Sequence, residues 1–115
     1  MTLTHFTCVD HGAVGIRESG LVRPVWQPFL HVSLSWWTDD PTAAMSDLGL
    51  TRNYVRCHRM GAAFAAVDDT GLVRWTDWCR ENKPRWAVRQ MLESHCRPGT
   101  WWVANVPISV VEVVQ

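Results

Sequence analysis

The sequence predicts an α+β domain built on a small antiparallel sheet of about six strands with two or three short helices. Three observations predict it. Residues 30–40 read Leu-His-Val-Ser-Leu-Ser-Trp-Trp-Thr-Asp-Asp, with apolar and polar side chains alternating at the period of a strand. Helical starts and helical spacing occur only in short stretches, at 10–19, 41–48 and 84–95. Turn signals at Gly20, Asp39-Asp40-Pro41, Asp68-Asp69-Thr70-Gly71 and Arg97-Pro98-Gly99 cut the chain into pieces of strand length. At 115 residues there is material for one core, so 1–115 is read as a single domain.

Residues 3–8 alternate as a first strand. Asp10 can cap a helix to about Ser19, which Gly20 stops in the left-handed conformation. Leu21 and Val22 start an extended piece, and Pro24 and Pro28 bracket a loop that should prevent regular pairing until Phe29. The central strand over 30–40 follows. It places Leu30, Val32, Leu34 and Trp36 on a core face, and His31, Ser33, Ser35 and Trp37 on the other. That second face is either the solvent face of the sheet or one suited to a ring and sugar hydroxyls.

Pro41 opens a short helix closed by Gly49, and 51–60 reads as a strand with Arg52, Tyr54, Arg56 and His58 on one face. The small-residue strand 62–67 and the strand 72–75, joined by the Asp-Asp-Thr-Gly turn, form an expected hairpin. Asp77 can cap a single turn, and Pro84 opens a longer helix to about His95. Residues 100–106 and 108–114 close the sheet, the last strand so rich in valine that it is expected to be central or buried on both faces.

Zero formal charge leaves no global field to attract nucleic acid or an anionic membrane, so such a partner must be held by a local patch. Eight tryptophans and ten arginines against the single Lys83 supply flat apolar surface and planar forks, both suited to nucleotides. Trp26, Trp75, Trp78 and Trp86 are expected in the core, and Trp36, Trp37, Trp101 and Trp102 beside a cleft. No window approaches a membrane span, and the first residues have neither the basic nor the apolar region of a signal peptide. A cytoplasmic protein with no membrane partner and reduced thiols at Cys8, Cys57, Cys79 and Cys96 is expected. Cys8 with His11, Cys57-His58 and His95-Cys96 offer zinc's usual donors, but no Cys-x2-Cys pair exists and adjacent strand residues point apart, so no metal site is expected.

Taken together, His5-Phe6-Thr7 on a strand, the capped helix, Gly20-Leu21-Val22-Arg23-Pro24 and the strand ending Trp36-Trp37-Thr38-Asp39 resemble the N-terminal half of ADP-ribosyltransferases. The nearest pattern is similar to the DarT-type toxins, in the His-x-Thr class that includes poly-ADP-ribose polymerases. The resemblance covers about the first forty residues; beyond them it is an order of strands, with Trp101 to Ile108 looking like that fold's closing pair.

The resemblance implies a split sheet with NAD, as substrate, in the cleft between its halves. It implies His5 on a ribose hydroxyl, Thr7 at the nicotinamide end, and Trp36 or Trp37 stacked on nicotinamide; Ser33 and Ser35 join them as candidate binding residues. Breaking the bond between ribose and nicotinamide creates an oxocarbenium-like centre, which needs negative charge near the sugar. Relatives place a glutamate where this chain reads Thr100-Trp101-Trp102, so Glu112 is the candidate catalytic carboxylate, with Arg56 the candidate catalytic arginine. The implied function is an ADP-ribosyltransferase-like domain that binds NAD or an ADP-ribose-type nucleotide and transfers ADP-ribose to a nucleic acid or protein. The alternative is a non-catalytic module that binds a nucleotide, a nucleic acid or a protein.

Overall fold

The computed structural model describes residues 1–40, 42 and 61–114. The expected helix at 41–48 and strand at 51–60, with Arg52, Tyr54, Arg56 and His58, lie outside the described residues.

The chain is α+β, as its turn spacing predicts, but with more strands than the expected six. Eight strands form one open antiparallel sheet among the described residues. In chain order they are β1 (Thr4–Thr7), β2 (Leu21–Val22), β3 (Val25–Gln27), β4 (Val32–Thr38), β5 (Ala62–Ala66), β6 (Leu72–Arg74), β7 (Trp101–Ala104) and β8 (Ile108–Val113). The helices are α1 (Gly12–Ser19), α2 (Trp75–Asn82) and α3 (Trp86–Glu93), each of eight residues. Across the sheet the order is β2-β8-β5-β1-β4-β7-β6, with β3 also paired to β4. The N-terminal strand is thus the middle one.

The extra strands are short pieces in turn-rich sequence. β3 sits between Pro24 and Pro28, where a loop was expected, and pairs with β4 as a hairpin, Val25 opposite Leu34 and Gln27 opposite Val32. Pro24 and Pro28 flank the paired residues, so no ladder donor is lost. The β4 strand is shorter than the alternation suggests, because His31 turns at φ 53°. The expected 62–75 hairpin is not formed. Asp68 accepts from the Thr70 amide at 2.9 Å, so the turn chemistry is as read. The chain then crosses to the opposite edge, where Leu72 registers with Ala104 of β7, while β5 pairs with β1 and β8. A turn motif sets a local bend, not the partner.

Both faces of the sheet are covered. Ala13 and Ile16 of α1 pack with Leu3, Val22, Trp37, Phe64 and Ile108 on one side. Trp75, Trp78 and Cys79 of α2 pack with Leu34, Trp101 and Val103 on the other, joined by Trp36 of β4 and Leu92 of α3. Ser35 and Trp37 are therefore buried at 3 % exposure each, so the second face of the central strand is neither a solvent face nor an open ligand face over that stretch. Gly20 stops α1 as predicted, with φ 72° and its amide donating to the Ile16 carbonyl. The helix starts two residues later than Asp10, and no side chain caps it.

Three other expectations change. Asp77 caps nothing; α2 begins two residues earlier, at Trp75. Trp26 and Trp86 are exposed, at 56 % and 74 %, while Trp75 and Trp78 are core. β8 lies one strand from an edge, with Val111 57 % exposed, and is not buried on both faces. Among the described residues no helix is long and apolar enough to cross a membrane.

Candidate functional site

The sheet comes apart at its centre. β1 pairs with β5 over four residues, from Thr4 opposite Ala65 to Thr7 opposite Ala62. On its other side it pairs with β4 at one position only, Thr4 opposite Thr38. Beyond that pair the backbone ladder stops, and the His5 side chain takes its place: Nδ1 donates to the Trp36 carbonyl at 2.8 Å. A carbonyl can only accept, so the proton sits on Nδ1. Burial pulls the His5 pKa down, against the smaller opposing effect of the Trp36 carbonyl. The ring is therefore neutral at pH 7, and Nε2 presents a lone pair. Nε2 has no hydrogen-bond partner among the described residues and is not sealed from solvent.

Thr7 lies on the same face two residues along. It is packed over the start of α1, where a Cβ at Gly12 would collide with Thr7 Oγ1. Glycine at position 12 is what lets the helix begin so close to the strand. The Trp37 indole lies beside His5, ring centroids 5.4 Å apart and tilted by 50°. Its Nε1 donates to the Ser35 hydroxyl at 2.8 Å, so both residues satisfy each other inside the α1-side core. Ser33, half-buried, stands opposite Trp26 at the outer end of β4. Trp36 faces the other way, against Trp75 at 5.0 Å and Trp101 at 5.8 Å. Imidazole and indole meet: Trp37 meets His5 through its ring, and Trp36 only through its carbonyl.

Register extends this pair into a row across the sheet. Glu112 stands opposite Phe64, Phe64 opposite His5, His5 beside Trp37, Trp37 opposite Trp102, and Trp102 opposite Arg74. Opposed residues of antiparallel strands share a face. Each end of the row is charged and neutralised. Glu112 takes both Arg17 donors, Nε at 2.8 Å and Nη2 at 2.7 Å, and this pair holds its carboxyl below the usual range. At the other end the Arg74 guanidinium lies 4.8 Å over Trp102, whose Nε1 donates to Asp39 at 3.0 Å. Arg74 also approaches Asp39 to 3.7 Å.

The arrangement separates the sequence-predicted residues. His5 and Trp37 are brought together, with Ser35 bonded to Trp37; Thr7 lies two residues along the His5 face against the start of α1, Ser33 lies further along β4, and Trp36 is on the opposite face. Glu112 shares the His5 row but lies two strands away, with the buried Phe64 between. Arg56 lies outside the described residues. Arg17, Asp39, Arg74 and Trp102 belong to the row without having been singled out together. Their pairing is between distant parts of the chain, and the one visible signal was the alternation that put Trp37 and His5 on strand faces. No family model, curated protein or solved structure matches this chain.

Proposed function

We propose that this chain is a nucleotide-binding domain of the ADP-ribosyltransferase type, taking NAD or an ADP-ribose-type nucleotide where β1 and β4 diverge. The observation that carries the reading is the neutral His5 ring, anchored through Nδ1 to Trp36 and offering Nε2 at the point where the strands part. A neutral, oriented imidazole acceptor is what a ribose hydroxyl donor requires, and a fixed tautomer removes the cost of choosing one on binding. The Thr7 hydroxyl, about 7 Å along the same strand face, is placed for a second polar contact.

Binding is the activity this geometry supports best, because the candidate carboxylate is already occupied by Arg17. A second reading, transfer of ADP-ribose to a nucleic acid or protein, draws support from the position of Glu112 in the His5 row. It requires the Arg17 pair to open and Phe64 to be bypassed.

Titration of NAD against intrinsic tryptophan fluorescence tests the proposal, since Trp37 lies beside His5. Saturable quenching is expected, with His5→Ala weakening it tenfold or more and leaving the far-UV circular dichroism unchanged. A flat titration up to about 1 mM, the weak end of specific affinities, or equal binding by the variant, sinks the proposal.

A further inference from the structure

The hairpin of β3 and β4 turns apolar side chains outward on both of its faces and at its tip. Val25 stands opposite Leu34 and Trp26 opposite Ser33, so the two lie on opposite faces of the ribbon, and Phe29 sits in the connecting turn. All three are more than half exposed. The His31 ring meets Trp26 edge-on at 6.2 Å between centroids, which steadies the indole without covering it. Charge is missing here: from Pro24 to Thr38 the chain has no Asp, Glu, Lys or Arg. Three other exposed hydrophobics, Val67, Trp86 and Val111, each have a charged neighbour in the chain, Asp68, Arg85 and Glu112. Hydrogen bonding in the hairpin is turned inward. The Leu30 and His31 amides donate to the Gln27 carbonyl at 3.1 and 2.9 Å, and the Gln27 side-chain amide donates to the Val25 carbonyl at 2.9 Å. Pro24 and Pro28 have no amide to satisfy, so the ribbon asks little of whatever covers it.

We propose that this hairpin is a membrane-surface contact, with Val25, Trp26 and Phe29 entering the interfacial layer of a phospholipid bilayer whose headgroups carry no net charge. A second copy or a flat protein surface covers one face of a ribbon, whereas a bilayer interface surrounds it. Strand addition by a second copy is limited by the two prolines, which leave β3 three residues long. An indole suits the depth at which its ring meets acyl chains and its N–H meets water. Charge sets the lipid class. Arg23 alone flanks the ribbon at its start, too little for attraction to an anionic surface, and no acid within it repels headgroup phosphates. Such a contact needs neither a membrane-spanning segment nor a global field.

Co-sedimentation of the whole chain with phosphatidylcholine vesicles tests the contact. Half of the chain is expected to pellet at about 1 mM lipid, weaker than a single acyl anchor would give. Because the contact is apolar, about 0.5 M salt should leave the pelleted fraction unchanged. Trp26→Ser combined with Phe29→Ser should lower partitioning roughly tenfold or more. Trp86→Ser, which removes a still more exposed indole beside Arg85, should leave it within about twofold. The proposal is overturned if the native chain does not pellet up to about 5 mM lipid, or if salt abolishes the pelleting. It is also overturned if the double variant pellets like the native chain, or if Trp86→Ser loses as much. Self-association in light scattering that the double variant abolishes, with vesicles unbound, would overturn it in favour of a second copy. The lipid and salt measurements use the native chain, so they decide the matter even where the double variant does not fold.

Discussion

The two sides of the sheet are packed from different materials. On the α2/α3 side the core is aromatic: Trp75 stacks on Trp78 with ring centroids 5.4 Å apart and planes 9° from parallel, and Trp36 and Trp101 close around Trp75 at 5.0 and 6.2 Å. On the α1 side it is aliphatic, Leu3, Ile16, Val22, Leu72 and Ile108 around Phe64 and Trp37, with alanines at Ala13, Ala62 and Ala104 where α1 meets the strands and Ala66 at the margin. Large rings interlock and fix helices by shape, while alanines let a helix approach a strand closely and leave polar groups at the seam. The polar chemistry follows that division. His5, Thr7 and Ser35 all fall on or beside the α1 side, whereas the aromatic side keeps its polar atoms for pinning, as when Trp75 Nε1 donates to Glu93 at 2.8 Å. One side holds the fold and the other carries the candidate site.

Substitution of Trp75 tests the first half of this division and should have the largest effect. Its side chain is fully buried. Trp75→Ala removes the ring that Trp36, Trp78 and Trp101 share and leaves Glu93 bonded to Arg89 alone. A loss of about 3–5 kcal/mol is expected in urea denaturation. A loss under about 1 kcal/mol would mean that the aromatic stack is not what holds α2 to the sheet. Overfilling the α1 side comes next. Ala62→Leu, at 4 % exposure beneath α1, should cost about 1–3 kcal/mol by forcing the helix away from β5. It should also weaken nucleotide binding, because α1 begins against Thr7. Equal binding in that variant would place the ligand away from this side.

Much of this division can be read in the sequence, and what cannot is the long-range pairing. The alternation at β4, the stop at Gly20 and the Asp68 turn are local features, and each appears where the residues put it. Alternation also says correctly that Trp36 and Trp37 point to opposite faces. It cannot say that both faces are buried, since that depends on which helices return to cover them. Trp26 and Trp86 show the same limit from the other side. Their composition argues for a core, yet Trp26 sits on the short β3 hairpin and Trp86 at the first turn of α3, and both remain exposed. The candidate site was legible as His5 and Thr7 on one strand face with Trp37 on another. That β1 and β4 would be neighbours, and would part after a single pair, depends on register alone.

Acid should act selectively on the α1 side. The folded-state pKa of His5 lies below its unfolded value of about 6.5. Between those two values the unfolded chain binds a proton that the folded chain refuses. The contribution of a neutral His5 is thus complete above pH 6.5, declines as pH falls below it, and is lost on passing the folded pKa. Denaturation midpoints measured from pH 7.5 to 5 should fall, and His5→Gln should flatten that part of the profile. Nucleotide binding should weaken over the same interval, since a protonated ring has no acceptor at Nε2. An unchanged profile in the variant would assign the acid sensitivity to another group and remove His5 from the seam.

The smallest effect on stability is expected at Glu112, and it is also the most informative about chemistry. Its pair with Arg17 is well formed but exposed, with side-chain exposures of 42 % and 44 %, so solvent and salt screen it. The hydrogen bond from Arg17 is the main reason its carboxyl titrates low. Whatever it contributes is present above the ordinary carboxylate value of about 4.3 and disappears as pH falls through the lower folded value. Glu112→Gln should therefore leave the melting temperature at pH 7 nearly unchanged. Under the binding reading it should leave NAD affinity unchanged as well, and neither protein should release nicotinamide when NAD is followed by proton NMR. Nicotinamide release by the native chain, abolished in Glu112→Gln at unaltered stability, would show that the Arg17 pair opens during turnover. The charged end of the row would then be part of the site, and transfer would replace binding as its function.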